Sequence, residues 1–181
     1  MTNELMIDIE TTGQKPGCKV LTLGAFGFDK NGNQVEFYVR FDDKKMGESG
    51  FTDDPSTMAW WHKQSNAAYT EAFGGTKDPK EGLCEFKKWF YENFNTDRFS
   101  GFRVWCCGLD FDFPILQEFM RVYGFAFPWK FWDQYDYRTI KNVFPIIKNE
   151  EGNTLKHTAL EDAKAQMRGL RAFYKMVENR I

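Results

Sequence analysis

The chain has no block of lysines or arginines. Its 24 basic and 26 acidic residues leave a formal net charge of -2, so a long duplex-wrapping surface driven by counterion release is excluded. Its four cysteines, Cys18, Cys84, Cys106 and Cys107, include no C-x-x-C pair, which argues against a thiolate metal knuckle and a disulfide framework. No secretory leader and no run of eighteen apolar residues is seen, so a reducing cytoplasm, with no membrane partner, is the expected setting. Histidine is scarce too, with only His62 and His157, and paired-histidine zinc chemistry has no material to work with.

What is abundant is aromatic. Phe 19, Trp 6 and Tyr 7 make 18% of the 181 residues, enough for large buried area per side chain and for platforms on which bases stack. The length fits a single domain over 1–181 with a substantial core.

Met6 to Gly13, MIDIETTG, reads as a strand. Residues two apart share a face, so Ile7 and Ile9 enter an apolar layer while Asp8 and Glu10 project together from the other side. Two like charges held this close raise each other's pKa, and a proton, a basic group or a hard cation must relieve them; an isolated D-x-E is also compatible with two solvated acids. Val20–Phe28 and Gln34–Phe41 then alternate as strands around Lys30-Asn31-Gly32-Asn33, whose Asn-Gly is a hairpin signal, and the chain opens as a three-strand meander. Asp42–Asp53 reads as a loop. Asp54-Pro55 predicts a capped helix running to about Phe73, and Asp78-Pro79 a second one with Leu83, Phe86, Phe90 and Phe94 on one face. Phe102–Cys107 is a short apolar run suited to a buried strand, feeding a helix over 112–124. A short strand is expected near Phe131–Asp133, then a helix from Asp136 to Phe144. Leu160, Ala163, Met167, Leu170, Tyr174 and Val177 mark an amphipathic C-terminal helix. This order describes an α/β sheet covered by helices.

Acids recur where strands end. GLDFDFPIL places Asp112 at a helix start, in competition with Asp110, and HTALEDA places Asp162 in the first turns of the last helix. D-x-E-T-T-G, F-D-x-x-I-L and H-x-x-x-x-D in this order resemble the DnaQ-like exonucleases with the DEDD motif set, in the histidine-bearing branch. WWHKQS and KFWDQYDYRT resemble the T-even phage exodeoxyribonuclease A group within it. The resemblance implies an RNase H-like fold: a five-stranded mixed sheet with an antiparallel second strand and helices on both faces. It further implies that Asp8, Glu10, Asp112 and Asp162 hold two magnesium or manganese ions; oxygen-only ligands suit such hard cations.

His157 precedes Asp162 by five residues, about 140° around a regular helix, so both point into one site only if His157 lies on the entering loop. There it is expected to take the proton of the attacking water. Thr11, Trp61 and Gln64 are the expected substrate contacts, although tryptophans on a helix also serve as core. The implied activity is 3′ to 5′ exonuclease action on a nucleic-acid 3′ end, in DNA by preference, releasing nucleoside 5′-monophosphates. An exoribonuclease of the same fold is an alternative, and so is a non-catalytic nucleic-acid-binding or protein-binding module. The latter has no reason to keep all four acids and the histidine.

Overall fold

The computed structural model describes residues 2–152 and 157–179. The meander forms as expected: β1 (Glu4–Thr11), β2 (Val20–Phe28) and β3 (Gln34–Arg40) pair antiparallel in sequence. After four helices the chain returns as β4 (Arg103–Cys106), parallel to β1, and then β5 (Gln134–Asp136), parallel to β4. The sheet order is β3-β2-β1-β4-β5, so β1 is central and its carboxyl end opens beside that of β4, where ligands of α/β sheets gather.

Helices α1 (Asp43–Glu48), α2 (Pro55–Trp61), α3 (Asn66–Phe73) and α4 (Pro79–Asn93) precede β4; α5 (Asp112–Val122) follows it. Then come α6 (Tyr137–Val143) and α7 (Ala159–Glu178). Pro at the first helical position and an Asp cap start α2 and α4 as the sequence indicates: the Asp54 carboxylate accepts from Thr57 N, and Asp78 from Lys80 N and Glu81 N.

Alternation along β1 sorts the core into two layers. Leu5, Ile7 and Ile9 face α4 and α5, packing with Phe86, Phe90, Phe113 and Phe119. Met6 faces the other way, with Trp105 of β4, onto Tyr137, Met167 and Leu170 of the α6 and α7 layer. Helices therefore cover both faces. A fully buried Phe86 or Phe90 contributes about 1.5–3 kcal/mol relative to exposure.

Three expectations need correction. The stretch read as a loop over 42–53 contains α1, capped by Asp42, because Met46 buries completely beneath it. The single helix expected from Pro55 to Phe73 is two helices, since the Ser65 hydroxyl accepts from Ala68 N and starts a new one. The strand expected at Phe131–Asp133 begins at Gln134; the three preceding residues make a 3₁₀ turn in which Asp133 accepts from Lys130 N.

Candidate active site

β1 and α7 lie against each other in a matched register. Two strand residues advance about 6.6 Å and four helical residues about 6 Å, so side chains at 4, 6, 8 and 10 meet those at 174, 170, 166 and 162 in turn. Tyr174 reaches Glu4 through its hydroxyl at 2.7 Å, Leu170 packs in the layer of Met6, and the Gln166 amide donates to Asp8 Oδ1 at 2.8 Å. At the open end Asp162 meets Glu10. The close approach depends on Gly24, the cross-strand partner of Asp8, where a Cβ would run into the backbone of Ala159 and Leu160.

Carboxylate oxygens of Asp8, Glu10 and Asp162 lie within 4.8 Å of one another. Asp112, 3% exposed at the start of α5, is not one of that trio but stands near it, its charge raising Asp8 more than any other charged neighbour. Its competitor Asp110 is exposed. Just past the acids the register shifts: Glu10 pairs with Thr22 and Thr11 with Val20, leaving Leu21 of β2 as the extra residue, and such bulges are common next to sites.

The electrostatic cost is visible in the acids. Burial, then the charges of Asp112, Glu10 and Asp162, holds Asp8 well above the usual carboxylate range, with the Gln166 hydrogen bond opposing. Burial and the Asp162 and Asp112 charges push Glu10 up to about 8. Asp112 is pushed up to about 7 by burial, against the field of Arg138. Asp162 is raised by burial, against a hydrogen bond from the backbone of His157. Glu10 has no hydrogen-bond donor among the described residues. An all-oxygen, underneutralised donor set of this kind fits hard divalent cations, and the buried Gln166 Oε1, which has no partner among the described residues, is a further polar atom left over at this junction.

His157 stands on the bend before α7, with φ 67, and its backbone N–H donates to Asp162 Oδ2 at 3.1 Å. Its ring meets Trp60 edge-on at 4.8 Å between centroids. Beside the acids opens a cavity of about 270 Å³ lined by Glu10, Thr11, Gln14, Trp60, Trp61 and Phe111 among others. Trp61 is buried and its indole N–H donates to Thr11 O at 2.9 Å. Trp60 is 40% exposed. Thr11 spends its hydroxyl on Gly13 O. Gln64 is not brought to this cavity; its amide donates back to Trp60 O. His62 stacks on Tyr69, and Glu161 pairs with Lys164 in the first turns of α7. Sequence reasoning passed over Gln166, although its place four residues after Asp162 puts it on the same helix face.

A five-stranded sheet of order β3-β2-β1-β4-β5, its central strand ending in half-buried carboxylates, is an RNase H-like fold of the DnaQ-like nuclease class. Two solved structures share this fold: cell-death related nuclease 4, with a TM-score of 0.63 at 15% identity over 97% of the chain, and E. coli Exonuclease I with a dT13 oligonucleotide, with 0.62 at 14% identity over 100%. The chain spans 65% and 44% of those two chains. Residues 3–174 match the family described as the 3′-5′ exoribonuclease Rv2179c-like domain, and the chain belongs to that family. It is also 30% identical over 171 residues to an exodeoxyribonuclease of Enterobacteria phage T4, covering 81% of this chain and 74% of that protein. No helix among the described residues is long and apolar enough to cross a membrane.

Proposed function

We propose that the chain, as one domain over 1–181, is a two-metal-ion exonuclease that removes nucleoside 5′-monophosphates from the 3′ end of single-stranded DNA. The observation that carries this reading is the convergence of Asp8, Glu10 and Asp162 within 4.8 Å, with Asp112 adjoining, at the edge of an aromatic cavity. Asp8, Glu10, Asp112 and Asp162 would together hold two magnesium or manganese ions. When bound, such a pair activates water and stabilises the leaving 3′ oxygen.

The protein's own groups supply the rest. His157 accepts the proton of the attacking water, and its ring is held edge-on against Trp60. Trp60 offers an exposed face to the terminal base. Buried Trp61 braces the Thr11 carbonyl, so the backbone after Glu10 presents a fixed wall to the terminal sugar. Gln166 fixes the rotamer of Asp8 through Oδ1 and leaves Oδ2 for a cation.

DNA is favoured by the phage exodeoxyribonuclease relative. The family's description as exoribonucleases supports RNA as the second reading. A 5′-labelled DNA oligomer and an RNA of the same sequence, incubated with Mn²⁺, decide between them. Stepwise shortening from the 3′ end, lost in Asp8→Ala and strongly slowed in His157→Ala, is expected; no shortening of either polymer by the wild type rejects the proposal.

A further inference from the structure

The start of α6 is fastened to the turn that carries Asp112. Asp136, which pairs with Cys106 across β4 and β5, caps α6 and also accepts from Leu109 N at 3.3 Å. Two residues on, Arg138 Nη2 donates to Cys107 O at 2.6 Å. Gly108 lies between these two bonds, with φ 141, and a Cβ there would come 2.6 Å from Arg138 Nη2. The missing side chain is therefore what admits the guanidinium.

That position is at the mouth of the site. Extending the parallel register of Met6 with Trp105 by two residues sets Cys107 level with Asp8, one strand spacing of about 4.8 Å away. Arg138 is exposed, and its charge is felt by Asp112 and by Cys107. Unlike Lys141 one turn later, which is paired with Glu151 at 3.1 Å, it makes no salt bridge among the described residues. One of its five N–H donors is committed to Cys107 O, and the others form no hydrogen bond among the described residues. A strand carrying a negative charge at every phosphate must approach four carboxylates here, and a tethered, planar, always-charged donor is suited to receive it.

We propose that Arg138 binds a backbone phosphate of the substrate strand on the Asp112 side of the carboxylate cluster. This rests on the exonuclease reading. The same bond to Cys107 O also braces the turn before Asp112, and the two roles separate experimentally.

Steady-state cleavage of a dT oligomer with Mn²⁺ is measured at several salt concentrations for the wild type, Arg138→Ala and Arg138→Lys. Calorimetric Mn²⁺ titration of the substrate-free proteins runs alongside. Loss of one phosphate contact predicts that Arg138→Ala raises KM by about tenfold or more and reduces the slope of log(kcat/KM) against log[salt] by about 0.7. Mn²⁺ affinity should stay within twofold. Arg138→Lys restores the slope and only part of KM. A wild-type slope in Arg138→Ala, or weakened Mn²⁺ binding with the slope kept, overturns the proposal and leaves a bracing role alone. Absence of wild-type turnover overturns the exonuclease reading and this proposal with it.

Discussion

Glu4 and the pair Asp8 and Glu10 stand on one face of one strand, over one helix, and are treated in opposite ways. Glu4 is fully buried, and its Oε1 accepts from Arg103 Nε at 2.8 Å, Trp105 Nε1 at 2.9 Å and Tyr174 Oη at 2.7 Å. Asp8 receives one amide hydrogen bond and Glu10 none among the described residues, while Asp112 and Asp162 crowd them with like charge. Three donors on an acid make a structural anchor. Acids packed together with few donors make sense where a cation completes them. On the proposed reading, the Glu4 end of β1 serves the fold and the Asp8 and Glu10 end serves the chemistry.

The comparison breaks most sharply at Asp8. Asp8→Asn should cut kcat by at least about 10⁴-fold, the scale seen when one member of an interdependent constellation goes, while raising the Tm of the metal-free protein because a repelling charge is gone. Oligonucleotide kinetics and calorimetry check the two halves. His157→Ala should lower kcat by about 10²–10⁴-fold, the contribution of a general base, with Mn²⁺ binding retained in a calorimetric titration. Gln166→Met, which keeps volume and removes the donor, should raise the Mn²⁺ concentration for half-activity by about 10–100-fold.

At the other end Glu4→Gln should leave kcat/KM within twofold but cost about 1–3 kcal/mol, the penalty for disturbing a charge-assisted buried network. At about 2–4 °C per kcal/mol for a chain of this size, thermal melting detects that loss. An equal loss of activity would erase the distinction between the two ends.

A gentler probe is pH. Glu10 titrates near 4.5 when unperturbed and about 8 in the fold, and Asp112 near 3.8 and about 7. The folded metal-free protein keeps protons that the unfolded chain gives up. Its carboxylate cluster therefore stabilises least at high pH, and Tm should fall as pH rises from about 4.5 to 8. With saturating Mn²⁺ the fall should vanish or reverse, because binding expels those protons. A metal-free Tm that climbs across this window contradicts the raised values.

Much of this was legible in the sequence because local chemistry and tertiary demand agree there. The meander was marked by alternation and Asn-Gly, α2 and α4 by Asp-Pro, and the ordered acids by their spacing. The bend at His157 followed from helical geometry once the resemblance placed His157 and Asp162 in one site. What escaped had weak local signals or depended on partners far away. α1 hides in a polar stretch and itself buries one residue, Met46, and the break between α2 and α3 turns on one hydroxyl, that of Ser65. Gln64 shares a motif with Trp60 and Trp61 but is spent on a backbone carbonyl. Gln166 and Arg138 matter through residues 158 and 31 positions away, which no window of sequence connects.

The most direct test of the division along β1 is the melting temperature of the wild type and Asp8→Asn at pH 8, without metal and with millimolar Mn²⁺. A ligand at 100 times its Kd adds about 2.7 kcal/mol, so the wild type should gain roughly 5–10 °C. Asp8→Asn should start higher than the metal-free wild type and respond little. A wild type indifferent to Mn²⁺, or an Asp8→Asn variant stabilised by it as strongly as the wild type, would contradict the assignment of these acids to a cation.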